Sequence, residues 1–366
     1  MFIGDYLQRR EIYSADALAI VDAGKEPVWR LTFAAMNGRA NRFANWLQDE
    51  AGIGPGDRVA ILARDGVEHL DCFFACSKIG AIHTALKWRL HWRELAGICQ
   101  ECQPTVLIYS DDFSAAVDAL RADPGRRTIK HALTLDGAGL PGDIHFEQAV
   151  SRSSTAAVAN DSVSEETVAA LIFTGGTTGL PKAAQVTHRM IAWNTLNTVI
   201  HDLTHNDIYL NVFPMFHTGG LFVYTLPQVI LGGTTVLLRQ FDPQQVLSLL
   251  EQEQVTVFAA VPAMYQMLTS APNWDDVDLA SLRFCTSGGA PLPVPLVQKY
   301  TSEKGIRFKQ GFGMTEFGPG VFALAPEDAI RKAGSIGRPT FYTGARIVDE
   351  NNHPVGPDQV LSLIHI

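Results

Sequence analysis

Four short stretches of this sequence gather residue types that chemistry can use. The richest is Thr174-Gly175-Gly176-Thr177-Thr178-Gly179-Leu180-Pro181-Lys182. Its glycines let backbone N–H groups close on an anion, its threonines add hydroxyl donors, and Lys182 adds a fixed positive charge. That is the chemistry of a phosphate cradle. It is not a Walker A loop, because no Gly-Lys-Ser/Thr opens a helix and Pro181 precedes Lys182. A plain surface turn is the alternative, and three threonines with a lysine weigh against it. The second stretch, Gln310-Gly311-Phe312-Gly313-Met314-Thr315-Glu316, offers glycines for close approach, an aromatic face, a hydroxyl and a carboxylate. A purine, a phosphate and Mg²⁺ could each be served there, against the alternative of a tight strand end. A dinucleotide fingerprint fails, since its third glycine would fall at Glu316. PMFHTGG (214–220) and TSGGAPLP (286–293) complete the set. By residue type alone His217 reads as readily as a satisfied core histidine.

These stretches need elements to hold them. From Asp57 short β-branched runs alternate with helical patterns: strands at 57–63, 81–86, 105–110 and 130–135, and helices near 66–80, 91–103 and 112–122. Ahead of them Thr32 is placed to cap an amphipathic helix running through Trp46 and Leu47. A Ser-, Ala- and acid-rich connection follows at 148–166, after which strands recur at 168–174, 207–214, 234–239, 255–261, 282–288 and 307–313. Alternation of this kind predicts βαβ units and mostly parallel sheets. The expected fold is therefore α/β: two doubly wound, mostly parallel subdomains, 1–165 and 166–334, with a small β unit beginning at 335–360. Ligands sit beyond the carboxyl ends of strands in such sheets. The four stretches all follow strands of the second half, which argues for one composite site.

Composition removes several alternatives. The 366 residues are 46% apolar, as in a folded globular protein, and 29 basic against 38 acidic residues give a net charge of −9. That balance argues against a nucleic-acid partner, because phosphate neutralisation needs a basic face. The uncharged run Ile208 to Leu238 is long enough to span a bilayer, yet its prolines and paired glycines predict strand, loop, helix and strand instead, with no transmembrane segment. Five cysteines make a poor disulfide framework and point to a reducing, cytoplasmic location. Cys72, Cys76, Cys99 and Cys102 fall in helical patterns without zinc-knuckle turns and read as buried thiols. Trp88 and Trp92 around His91 read as helix packing rather than a stacking platform, and His188 as the opening of a helix.

TGGTTGLPK together with QGFGMTE resembles the adenylate-forming superfamily of acyl- and aryl-CoA synthetases, luciferases and peptide-synthetase adenylation domains. The order and spacing of all four stretches fit the large N-terminal domain, nearest to the fatty-acid and related CoA ligases. The resemblance implies an acyl-adenylate made from a small carboxylic acid and ATP with Mg²⁺, then passed to coenzyme A. It implies catalytic roles for Lys182, His217, Thr315 and Glu316. Thr174, Gly175, Gly176, Thr177, Thr178 and Lys182 would close over the β- and γ-phosphates. Gly288, Gly289, Ala290 and Pro291 would border adenine and acyl pocket, with Gln310, Gly311, Phe312 and Thr315 around the nucleotide. Thr174 and Glu316 would meet the metal, and His217 the carboxylate. A homodimer stays open, as do transfer to an acyl carrier protein and a catalytically incomplete binding fragment.

The substrate is narrowed only in part. Phe213 to Gly220 lacks the acid that would pair an amino-acid substrate's ammonium, while Phe216, Leu221, Phe222 and Tyr224 suggest an apolar pocket for an aliphatic or aromatic acid. Two departures from the pattern are mild: Gly175 stands where Ser is frequent, and Ala183 where Gly is common. The larger one is the end. The resemblance makes 335–360 the start of a β-barrel subdomain, expects a small C-terminal domain that does not follow, and leaves LSLIHI (361–366) as a tail foreign to the pattern.

Overall fold

The computed structural model describes residues 3–123, 128–158, 161–175 and 181–356. The chain opens with α1 (Tyr6–Ser14), β1 (Leu18–Asp22), β2 (Trp29–Thr32) and α2 (Phe33–Asp49). Thr32 caps α2 as expected, its side chain accepting from the Ala35 amide, an arrangement that stabilises by about 1 kcal/mol. The regular alternation follows: β3 (Arg58–Leu62), α3 (Val67–Ile79), β4 (Ile82–Ala85), α4 (Trp92–Cys102) and β5 (Val106–Tyr109). Then come α5 (Ser114–Ala122), β6 (His131–Thr134), β7 (Ile144–His145), α6 (Phe146–Arg152), β8 (Val168–Thr174) and β9 (Lys182–Thr187). These strands form one sheet in the order β7-β6-β5-β3-β4-β8-β9, parallel throughout except for the β8–β9 pair. Cys72 and Cys76 lie buried on α3, Cys99 and Cys102 on α4, as the helical patterns required. His91 caps α4, while Trp88 packs beneath the guanidinium groups of Arg64 and Arg89.

The rest of the chain builds a second sheet. It supplies α7 (His188–Ile200), β10 (Ile208–Asn211), α8 (Thr225–Leu231), β11 (Thr234–Leu237), α9 (Pro243–Gln252) and β12 (Val257–Ala260). After these come α10 (Pro262–Leu268), β13 (Phe284–Gly288), α11 (Val294–Lys304), β14 (Phe308–Gly313), β15 (Gly320–Leu324) and β16 (Arg338–Pro339). The uncharged run 208–238 is thus strand, turn, helix and strand. Among the described residues no helix is long and apolar enough to cross a membrane.

The sheets do not divide where the chain does. The second sheet runs β16-β15-β14-β13-β12-β10-β11-β1-β2, so β1 from the N-terminus pairs in parallel with β11. Conversely β8, expected to begin the second sheet, pairs with β4 in the first. The expected boundary at 165/166 separates chain segments but not sheets: each sheet takes strands from both. A buried apolar run such as VAALIFT fits any parallel sheet, and only its neighbours decide which. Beyond 335 the short strand β16 adds to the second sheet and an isolated bridge joins Val348 to Pro354; no barrel closes among the described residues. The tail 361–366 lies outside them.

The exchange of strands creates a seam with its own core. Leu7, Ile20, Phe33, Phe73, Ala170, Met215 and Phe222 pack there, drawn from both sheets, and the Phe73 and Phe222 rings meet edge-on at 6.0 Å. In the first sheet the chain passes from β3 to β4 on one side and to β5 on the other. In the second it passes from β10 to β11 and then β12 in the same way. The loops after β3 and β10 therefore leave the two points of topological reversal, where such sheets bind ligands.

Candidate functional site

Strands β13 and β14 run side by side and in parallel, which puts Gly288 opposite Gly311 and Ser287 opposite Gln310. A Cβ on Gly288 would stand 3.1 Å from the Gly311 carbonyl, whereas Gly311 itself faces almost open space. Gly313 is glycine for another reason: a Cβ there would lie 1.8 Å from the Pro319 carbonyl oxygen. Of the two glycines of QGFG expected to permit close approach, only Gly311 has open space beside it; Gly313 admits the returning chain of β15. Gln310 is buried, its Oε1 accepts from the Leu292 amide at 3.4 Å, and its Nε2 holds no protein partner. It thereby ties the 286–293 loop to β14. Phe312 packs edge-on against Phe322 of β15 at 6.0 Å. Gly289, Ala290 and Pro291 are exposed, Gly289 with φ of +79°.

After β14 a single helical turn carries Thr315, buried, and Glu316, exposed. Strand β9 packs against this turn. Since β9 begins at Lys182, the strand that reaches the Glu316 turn is the one that leaves the threonine–glycine stretch. Thr174 pairs with Lys182 across the β8–β9 hairpin, its hydroxyl donating to the Lys182 carbonyl at 3.3 Å. Gly175 is exposed with nothing within 4 Å of a built Cβ. Gly176, Thr177 and Thr178 lie outside the described residues. The sequence placed all four stretches on one sheet; the structure brings them from two.

His217 belongs to the loop after β10. Its Nδ1 accepts from the Gly219 amide at 3.1 Å, and its carbonyl accepts from the Gly220 amide at 3.0 Å. Removal of water by the surrounding loop lowers its pKa, and the like charge of Lys87, reaching over from the β4–α4 connection, lowers it further. Beside it the buried hydroxyl of Thr218 has no protein partner. The same loop begins at Met215, whose amide donates to Asp65 Oδ1 at 2.8 Å. Nothing in the residue types pointed to Asp65 or Lys87, since both act across the seam.

A cleft of about 570 Å³ opens between α7, the turn before α8, and strands β13 to β15. Tyr224, Thr286, Lys309, Gln310 and Phe322 line it. The Tyr224 hydroxyl and Thr286 Oγ1 lie 2.8 Å apart in a hydrogen bond that ties Tyr224 to the middle of β13. Burial lowers the pKa of Lys309, whose ammonium donates to the His201 carbonyl at 2.6 Å. The expected pocket residues divide. Tyr224 faces the cleft, but Leu221 and Phe222 are buried in the seam, and Phe216 packs in the first sheet's core against Trp88. The polar members were legible in principle as Asn194, Asn197 and Thr198, one helical turn apart on α7.

Sequence comparison adds what geometry alone does not. A family described as AMP-binding enzyme matches residues 8–361. A feruloyl-CoA synthase of Amycolatopsis sp is 36% identical over 98% of this chain and 68% of its own length. An indoleacetate–CoA ligase of Aromatoleum aromaticum is 34% identical over 89% of this chain and 63% of its own. Among solved structures, the inhibitor-bound N-terminal domain of FACL13 from Mycobacterium tuberculosis superposes with a TM-score of 0.90 at 29% identity. It covers 97% of this chain and 86% of that one. The chain thus spans about two thirds of the length of these curated relatives.

Proposed function

Because the chain belongs to the AMP-binding enzyme family, we propose that it is the nucleotide- and acid-binding part of a carboxylic acid–CoA ligase working through an acyl-adenylate. In the first step a carboxylate oxygen bonds to the α-phosphorus of ATP, and the bond from that phosphorus to the bridging oxygen breaks. Pyrophosphate leaves with the electron pair. In the second, the sulfur of coenzyme A bonds to the acyl carbon, AMP leaves, and the thiol proton passes to solvent. Neither step needs a protein nucleophile, so the residues act by position and charge.

The groups present fit that task. Lys182 would face the departing phosphates, Thr315 the α-phosphate, and the open backbone at Gly175, Gly289 and Gly311 would allow close approach. Glu316 is an exposed carboxylate on a turn flanked by β9 and, with the Thr174 oxygen, would hold Mg²⁺. The metal would neutralise charge accumulating on pyrophosphate. His217 would orient the attacking carboxylate. Five buried cysteines without disulfides favour the cytoplasm as the place where this happens.

The observation that carries the reading is that strand β9, which leaves the threonine–glycine stretch, packs against the Glu316 turn after β14, while β14 itself lines the cleft. The cleft further favours an aromatic acid bearing a polar substituent. Tyr224 and Phe322 offer ring surfaces, while the Gln310 Nε2, which has no protein partner, is a buried donor that an alkyl tail would leave unpaired. The names of the feruloyl and indoleacetate relatives agree. The test is acid-dependent exchange of labelled pyrophosphate into ATP by the complete protein. Hydroxylated or N-heteroaromatic acids should outrun alkanoic acids of equal carbon number. The reverse order would overturn the substrate assignment, and silence with every acid would overturn the ligase.

A further inference from the structure

The two reversal loops touch, and the contact has a direction. Asp65 leaves the end of β3 in the first sheet and accepts the amide of Met215, a buried residue of the loop that presents His217. From the other side Asp22, at the end of β1 in the second sheet, accepts the amide of Val67 at 2.9 Å and so caps α3 of the first. Each sheet lends a carboxylate to the other's reversal loop. The Asp22 contact ends on a buried helix. The Asp65 contact ends two residues from His217, which is exposed.

We infer that Asp65 is a positioning residue for adenylation, holding the Met215–Gly220 turn so that the His217 ring keeps its place at the mouth of the site. Two further anchors hold the turn, the Phe216 side chain in the first sheet's core and the Thr225 hydroxyl, which donates to the Gly220 carbonyl at 2.6 Å, whereas Asp65 holds the backbone ahead of His217. The turn's own hydrogen bonds, His217 to Pro214 and Gly220 to His217, are internal and move with it. The Met215 side chain is buried in the seam and fixes the turn's depth, but a hydrogen bond to its backbone fixes the turn's rotation. Gly220 can sit in the turn only as glycine, because a Cβ would lie 2.3 Å from the Pro214 carbonyl oxygen. The turn is therefore closely packed on itself, and a shift at Met215 passes on to His217 rather than being absorbed.

The carboxyl also titrates where the reaction would run. Burial pushes the Asp65 pKa up to about 7, against the lowering effects of the Met215 amide and the charge of Arg89. Arg89 faces it from the β4–α4 connection, and Lys87 of the same connection faces His217. On its own loop the neighbouring Arg64 is engaged with Asp112 and Gln240. An ionised carboxylate accepts an amide more strongly than a neutral acid does. The grip on the turn consequently tightens as pH rises through neutrality.

The kinetic arm of the test rests on the ligase reading; the spectroscopic arm does not. In the complete protein Asp65→Ala should lower the turnover of pyrophosphate exchange by on the order of ten-fold, as a small displacement does, with KM for ATP nearly unchanged. Asp65→Asn, which keeps an acceptor for Met215, should restore most of the rate and erase the limb of the pH profile near neutrality. In the 366-residue chain itself the His217 imidazole resonances should shift in Asp65→Ala and stay in place in Asp65→Asn. Unmoved His217 resonances in a folded Asp65→Ala protein would overturn the inference, as would equal losses in both variants with an unaltered pH profile. A wild-type protein that exchanges no pyrophosphate, yet whose His217 signals respond as expected, would remove the ligase and leave the positioning role standing.

Discussion

The loops after β3 and β10 occupy equivalent places in the two sheets, yet they differ in exposure: Arg64 and Asp65 of the first are half-buried, while His217 of the second is exposed. The β3 loop is spent on the seam: Asp65 holds Met215, the Val67 amide is held by Asp22, and buried Glu68 pairs with Lys25. The β10 loop receives one of those bonds and keeps His217 exposed and the Thr218 hydroxyl unpartnered. Topology thus offers two crevices, and burial decides between them. The reversal loop pressed into its partner serves as scaffold, and the other keeps one side chain, His217, exposed.

The largest test of that division is made on the open side. Glu316→Gln keeps the shape of an exposed side chain and removes its charge, so the unfolding midpoint should stay within experimental error. Pyrophosphate exchange should fall by about 10²–10³-fold, the scale on which preorganised charge contributes to a transition state. An equally large loss of stability would show that the Glu316 turn is scaffold as well, and the contrast would fail.

Next in size is Gly220→Ala. The built Cβ meets the carbonyl oxygens of Pro214 and Phe213 at 2.3 and 2.5 Å, and backbone cannot step aside as a side chain can. Destabilisation of about 2–3 kcal/mol is expected, the range of overpacked interiors, read as a lowered urea midpoint. The closely packed turn would then be confirmed as rigid enough to carry a displacement to His217.

Asp65→Asn gives a somewhat smaller effect with a definite sign. The folded carboxyl holds its proton up to about 7, while the unfolded chain ionises near 3.8. Between those values the unfolded state binds fewer protons, so wild-type stability falls as pH rises and levels off above neutrality. The asparagine variant lacks this slope. Its stability relative to wild type should therefore increase from pH 5 to pH 8, by on the order of 2 kcal/mol, measured by denaturant unfolding at each pH. A constant difference would show Asp65 ionised throughout.

Much of this organisation was legible in the residues because it is local. Strand–helix alternation, the Thr32 cap, the helix opening at His188 and the broken run after Ile208 depend on neighbours a few positions away, and each stands as read. Sheet membership was not legible. VAALIFT pairs with β4 across more than eighty residues, and the N-terminal strand LAIVD pairs with β11 across more than two hundred. Strand β9, KAAQVT, escaped because small and polar residues at a sheet edge carry no apolar run. In the site, the motif residues were visible by type, whereas Asp65, Lys87 and the true reason for Gly313 arise from contacts between distant segments.

The smallest effect should come from the scaffold loop's own glycine, and it closes the comparison with Gly220. Gly66 has an extended backbone with φ of 172°, which any residue adopts. A Cβ there would meet Glu68 Oε2 at 2.8 Å and Asp22 Oδ2 at 3.4 Å. Both obstacles are ends of side chains, and the Glu68 carboxylate can turn about its own stem while keeping Lys25. Gly66→Ala should therefore cost less than about 1 kcal/mol, partly offset by the lower entropy of the unfolded chain. Its exchange activity should match wild type. If instead it destabilises as much as Gly220→Ala, the clasp of carboxylates at the seam is as tightly packed as the His217 turn, and openness rather than packing is all that separates the two loops.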